Sequence, residues 1–100
     1  LVKKTNQGTW LVEIANNGRY RFELRRYPRE ASKAIGATEA VVMIDNQKGH
    51  INLDMPDKKA VVEMNLKKGK YDMQTFFKDN TEPDEVKNWG AYYVYVDYLN

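Results

Sequence analysis

The stretch Arg19-Tyr20-Arg21-Phe22-Glu23-Leu24-Arg25-Arg26-Tyr27-Pro28 alternates until proline stops it. Tyr20, Phe22 and Leu24 fall on one side of a period-two pattern, and Arg21, Glu23 and Arg25 on the other. That is a strand with a dry face and a wet face. Upstream, Trp10-Leu11-Val12-Glu13-Ile14 alternates in the same way. Between the two runs sits Asn16-Asn17-Gly18. Asn-Gly supplies the positive φ angles of a tight turn, so the two runs are expected to pair as an antiparallel hairpin.

Further runs follow at the spacing of an all-β sandwich. Arg29 to Thr38 is a connection, with one helical turn at Ala31-Ser32-Lys33-Ala34 as an option that Gly36 would end. Ala40-Val41-Val42-Met43-Ile44 is a continuous apolar run, expected as a strand buried on both faces. His50 to Leu53 is a weaker strand closed by Pro56. Val62, Met64 and Leu66 share one face of the next run. Tyr71, Met73, Thr75 and Phe77 share one face of another, which follows the Lys67-Lys68-Gly69-Lys70 turn. Asp79 to Asn88 reads as a long polar loop around Pro83, and Ala91 to Leu99 as the last strand, led by Trp89 at its start. The expected fold is therefore all-β, an antiparallel sandwich of about seven strands. Its layout suggests the jelly roll of galactose-binding-type domains. The inward set is Trp10, Val12, Ile14, Tyr20, Phe22, Leu24, Val42, Ile44, Val62, Met64, Leu66, Met73, Phe77, Tyr93 and Tyr95.

Composition narrows the function. The chain of 100 residues has length for one domain and a real core. A net charge of +2, from 16 basic and 14 acidic residues, lacks the basic excess of a nucleic-acid binder. There is no cysteine, hence no disulfide framework and no thiol chemistry. No apolar run approaches the roughly 20 residues of a membrane span. Leu1 stands where Met would begin a complete protein, as expected of a piece of a longer chain.

Candidate chemistry is sparse. Ser32 and His50 are single copies, and nothing in the sequence places them together as a triad requires. His50 follows Lys48-Gly49 and reads as an exposed turn histidine rather than a metal ligand, since no second His or Cys accompanies it. Asp79, Glu82, Asp84 and Glu85 form an acidic loop that matches no EF-hand spacing. Arg19, Arg21 and Arg25 read as an exposed face laddered with acids across the sheet. Arg26 continues the inward phase, so it must find a carboxylate or carbonyl partner. Guanidinium groups also bind sulfate bidentately, which keeps a sulfated ligand in view. Twelve aromatics, seven of them tyrosine, exceed the needs of the core. Tyr27, Phe76, Trp89, Tyr92 and Tyr98 fall out of phase or into loops, where they would line a sugar site or pack on a neighbouring domain. The candidate binding residues are therefore Arg25, Arg26, Tyr27, Trp89 and Tyr92, with no catalytic and no metal-ligating residue.

Two segments carry a resemblance. A strand led by Trp10, a turn ending in Gly18, then Tyr20-x-Phe22-x-Leu24-Arg25-Arg26-Tyr27-Pro28-x-Glu30-Ala31 resembles the C-terminal accessory domain of bacterial arylsulfatases, which usually have Trp in place of Tyr27. Trp89-Gly90-Ala91-Tyr92-Tyr93-Val94-Tyr95-Val96 is similar to the ending of the same enzymes. The resemblance implies that residues 1–100 are a non-catalytic β-sandwich at the C-terminus of a secreted or periplasmic sulfate-ester hydrolase. Such a domain would pack on the catalytic domain of the same chain, with shaping of substrate access as a second role. Calcium and formylglycine would belong to that other domain, because this chain has no Cys/Ser-x-Pro-x-Arg motif and needs no cofactor itself. The alternatives are a carbohydrate-binding module for sulfated or neutral glycans and a purely structural self-association domain.

Overall fold

The computed structural model describes the backbone of residues 2–6, 9–82 and 85–100. Nine strands and no helix occur among them: β1 (Val2–Asn6), β2 (Thr9–Ile14), β3 (Gly18–Arg25), β4 (Glu39–Ile44), β5 (Gln47–Asn52), β6 (Ala60–Leu66), β7 (Gly69–Glu82), β8 (Glu85–Gly90) and β9 (Tyr93–Tyr98). All pairings are antiparallel. The larger sheet has the order β1-β2-β7-β4-β5, with β8 also on β7, and the smaller has the order β6-β3-β9. The two sheets stack as a β-sandwich.

Alternation explains the core. Trp10, Val12 and Ile14 of β2, Ala40, Val42 and Ile44 of β4, and Met73 and Phe77 of β7 meet Tyr20, Phe22 and Leu24 of β3 and Val62, Met64 and Leu66 of β6 in one cluster. Ile35, Ala37 and Ala91 close it from the connections. One polar pair lies within it: Trp10 Nε1 donates to Thr75 Oγ1 at 2.8 Å, which satisfies two groups that would otherwise be costly to bury.

Four expectations are corrected. First, the Trp10–Ile14 and Arg19–Leu24 runs do not pair with each other. β2 pairs with β1 and β7, while β3 pairs with β6 and β9. Asn16-Asn17-Gly18 is a corner between sheets rather than a hairpin turn. A corner sets the dry faces of the two strands opposite one another, whereas a hairpin would lay them side by side. Asn17 ties the corner down, its side-chain Oδ1 accepting from the Lys68 backbone N–H at 2.7 Å. At Gly18 a Cβ would stand 2.6 Å from the Tyr98 ring.

Second, β9 has the opposite phase. Its register places Val94 beside Leu24 and Val96 beside Phe22, and Tyr93 and Tyr95 beside Arg25 and Glu23. The valines therefore pack on the core, and Tyr93 is exposed. Tyr98 follows the inward phase and its ring centroid lies 5.1 Å from that of Tyr20.

Third, the expected polar loop after Asp79 is largely β-hairpin. β7 runs 14 residues, and its far half pairs with β8, so Trp89 lies opposite Phe77 rather than at the start of the last strand. The β4 ladder stops at Glu39 opposite Lys78. Beyond that point β7 still pairs with β8, and Asn80 and Thr81 are exposed, which suits its polar sequence. Pro83, Asp84 and the side chains of Glu82 and Glu85 lie outside the described residues.

Fourth, β4 is not buried throughout on both faces, because Met43 is exposed although Val41 is buried. The Ala31–Ala34 stretch forms no helix. There the Ile35 N–H donates to the Asp57 carbonyl at 2.8 Å instead.

Candidate functional site

β3 ends at Arg25, and Pro28, three residues on, cannot resume the ladder because it has no N–H to offer. The chain then turns, with the Ala31 N–H donating to the Pro28 carbonyl at 3.0 Å. Arg26 finds the partner its inward phase demands: Nη1 donates to the Ile35 carbonyl at 3.3 Å. Its guanidinium carbon lies 5.1 Å from the Trp89 ring centroid and 5.6 Å from that of Tyr27. Lys33 Nζ lies 5.3 Å from the Tyr27 centroid. Such cation–ring contacts each contribute roughly 0.5–1 kcal/mol near the surface.

The chain returns to this place at the entry of β9. Ala91 is buried, the Tyr92 N–H donates to the Arg25 carbonyl at 3.2 Å, and Tyr93 is the register partner of Arg25. Two successive tyrosines thus stand against one arginine, and both residues are 40% exposed. Arg26, Tyr27, Pro28, Tyr92 and Tyr93 line an open cleft of about 500 Å³. The end of β3 and the entry of β9, far apart in the chain, meet in it. Among the described residues, the lining holds one charged group, already bonded to a carbonyl, and no carboxylate or amide.

The sequence candidates divide around this cleft. Arg26, Tyr27 and Tyr92 line it. Arg25 lies beside it and is engaged by Glu23. Trp89 sits behind Arg26, half-buried against Phe77 at 6.2 Å between centroids. Its indole N–H is buried and without an acceptor among the described residues. Pro28 and Tyr93 were not among the candidates. The alternation Val94-x-Val96 was the signal that turns Tyr93 outward.

Next to the cleft, on the outer face of the smaller sheet, Glu23 is nearly buried under two arginines. Arg29 and Arg25 both donate to its carboxylate. The Arg29 hydrogen bonds, opposed by burial and aided by Arg25, lower the Glu23 pKa to about 2. The Arg29 guanidinium carbon lies 3.8 Å from the Tyr95 ring centroid. Farther along, Arg19 pairs with Glu63 at 3.5 Å and Arg21 with Asp97 at 3.2 Å, an exposed ladder of the expected kind. Exposed pairs of this kind contribute little to stability.

The other titratable candidates are committed elsewhere. His50 lies on β5 rather than in a turn, exposed, with Nδ1 3.1 Å from Glu39. Ser32 accepts from Lys58 Nζ at 2.6 Å. Among the described residues no group of three or more acidic or histidine side chains is placed to hold a metal ion. No described helix is long and apolar enough to cross a membrane. Comparison with protein-family models, with curated proteins and with solved structures gives no match to this chain.

Proposed function

We propose that this β-sandwich is a non-catalytic accessory domain of an arylsulfatase-like sulfate-ester hydrolase, exported to the periplasm or beyond, and that it docks on the catalytic domain through the Tyr27–Tyr92 cleft. The observation that carries the proposal is the composition of that cleft. Tyr27, Pro28, Tyr92 and Tyr93 present aromatic and apolar surface around an arginine whose charge is already directed at a carbonyl. Recognition of a sugar needs convergent polar groups that read its hydroxyls. Docking needs an apolar patch with a polar rim, and the Glu23–Arg29 cluster and Lys33 supply such a rim. The jelly-roll layout belongs to the same proposal. So does the assignment of calcium and the formylglycine nucleophile to the catalytic domain.

Titration of the chain with sulfated and neutral oligosaccharides, followed by amide shifts, tests the proposal. Docking predicts no saturable change at Tyr27, Tyr92 and Tyr93. Saturable binding at roughly millimolar affinity or tighter, lost in Tyr92→Ala, would replace docking by glycan recognition. Aryl-sulfate turnover by the chain, unchanged on further purification, would contradict its non-catalytic role.

A further inference from the structure

The two sheets differ in width. The larger is five strands wide along β1-β2-β7-β4-β5 and the smaller is three strands wide. On one flank β5 and β6 close the sandwich: a Cβ at Gly49 would stand 2.6 Å from Val62 Cγ1. The deficit falls on the other flank, beside β9. There a cleft of about 270 Å³ opens between the core residues Val12, Ile14 and Tyr20, the polar Glu13 and Asn16, and Val96 and the exposed Tyr98 of β9.

The outer edge of β9 pairs with no described strand. The Leu99 N–H donates to the Arg19 carbonyl at 2.7 Å. In an antiparallel ladder every second residue bonds to the same neighbour. Asp97, Tyr95 and Tyr93 therefore turn their backbone groups toward β3, and Tyr98, Val96 and Val94 turn theirs outward. Exposed edges are normally blunted by lysine, proline, inward charges or bulges within the strand. β9 reads Tyr93-Val94-Tyr95-Val96-Asp97-Tyr98. Its single charge, Asp97, is paired with Arg21.

We propose that β9 is a self-association strand, and that two copies of this chain pair β9 antiparallel about a two-fold axis through Val96. This pairing joins the two smaller sheets into one. Val96 then meets the partner's Val96, and Val94 the partner's Tyr98, so every outward N–H and C=O of the strand is bonded. The core-facing rows continue across the axis, as a two-fold perpendicular to the sheet requires. Asp97 comes opposite the partner's Tyr95, a neutral hydroxyl-bearing neighbour. An axis through Asp97 would oppose two carboxylates, and one through Tyr95 would leave Tyr98 unbonded.

Sedimentation equilibrium over concentrations up to about 1 mM tests this, together with amide hydrogen exchange on the unmodified chain. The expected result is a monomer–dimer equilibrium in which exchange at Val94, Val96 and Tyr98 slows as concentration rises. Val96→Pro removes one outward N–H and leaves the β3 ladder its donors. It is expected to weaken association at least about tenfold while far-ultraviolet circular dichroism is unchanged. A chain that stays monomeric throughout would overturn the proposal. So would a dimer unaffected by Val96→Pro, or one whose exchange slows at the β5 or β6 edge instead. Should Val96→Pro fail to fold, the concentration dependence of exchange in the unmodified chain decides.

Discussion

Arg29 grips the Glu23 carboxylate with two nitrogens, Nε at 3.1 Å and Nη2 at 3.2 Å. Arg25 Nε donates to the same group, and the Tyr95 ring lies beneath the Arg29 guanidinium. The proline turn after β3 brings Arg29 back over its own strand. This arrangement pins the loop that carries Tyr27 to the sheet that carries Tyr93, so the cleft is held from outside as well as by Arg26 from within.

Acid should loosen it. The Glu23 pKa is lowered from 4.5 to about 2, chiefly by Arg29. A depressed carboxylate contributes stability that is complete above its unfolded pKa and is lost as pH falls through the folded one. Denaturant midpoints should therefore be insensitive to this group above about pH 4.5 and should fall from there toward pH 2. Glu23→Gln should lower stability at neutral pH and flatten that acid limb. An unchanged limb in Glu23→Gln would assign the acid sensitivity to other carboxylates.

The two tryptophans should respond differently to loss of the indole N–H. Trp10 donates to buried Thr75, whereas the buried Trp89 N–H has no acceptor among the described residues. Trp10→Phe strands the threonine hydroxyl and should cost roughly 1–3 kcal/mol more than Trp89→Phe. Urea denaturation of the two variants measures the difference. Equal costs would mean that the Trp10–Thr75 bond adds nothing.

Strand phase can be read from a pair of truncations. Phe22→Ala opens the fully buried centre of β3 and should cost roughly 3–5 kcal/mol. Tyr93→Ala, on the wet face of β9, should cost about 1 kcal/mol or less. A large loss for Tyr93 would restore the inward phase that its tyrosine-rich sequence suggested.

The strands whose apolar residues alternate without competition were legible in sequence. Trp10-Val12-Ile14, Tyr20-Phe22-Leu24 and Val62-Met64-Leu66 all face the core as their pattern requires. β9 misled because both of its faces are apolar in composition. Tyrosine at 93 and 95 outweighed valine at 94 and 96, and only the register with β3 separates them. Asn17-Gly18 supplies a tight reversal, but a reversal serves a corner as well as a hairpin, and the choice depends on which strands fill the neighbouring positions. The far part of β7 looked like a loop because its exposed Asn80 and Thr81 give it no dry face to alternate with a wet one. The cleft was half legible. Arg26, Tyr27 and Tyr92 carried the right chemistry, but their meeting depends on the Arg25–Tyr93 pairing, 68 positions apart in the chain.

The parentage of this domain is tested most directly by determining the coding sequence immediately upstream of the Leu1 codon. An accessory domain of an arylsulfatase-like enzyme requires an open reading frame continuing upstream, with a Cys/Ser-x-Pro-x-Arg motif and clustered acidic metal ligands in the chain it encodes. A start codon just before Leu1, or an upstream domain without that motif, would contradict the proposed role.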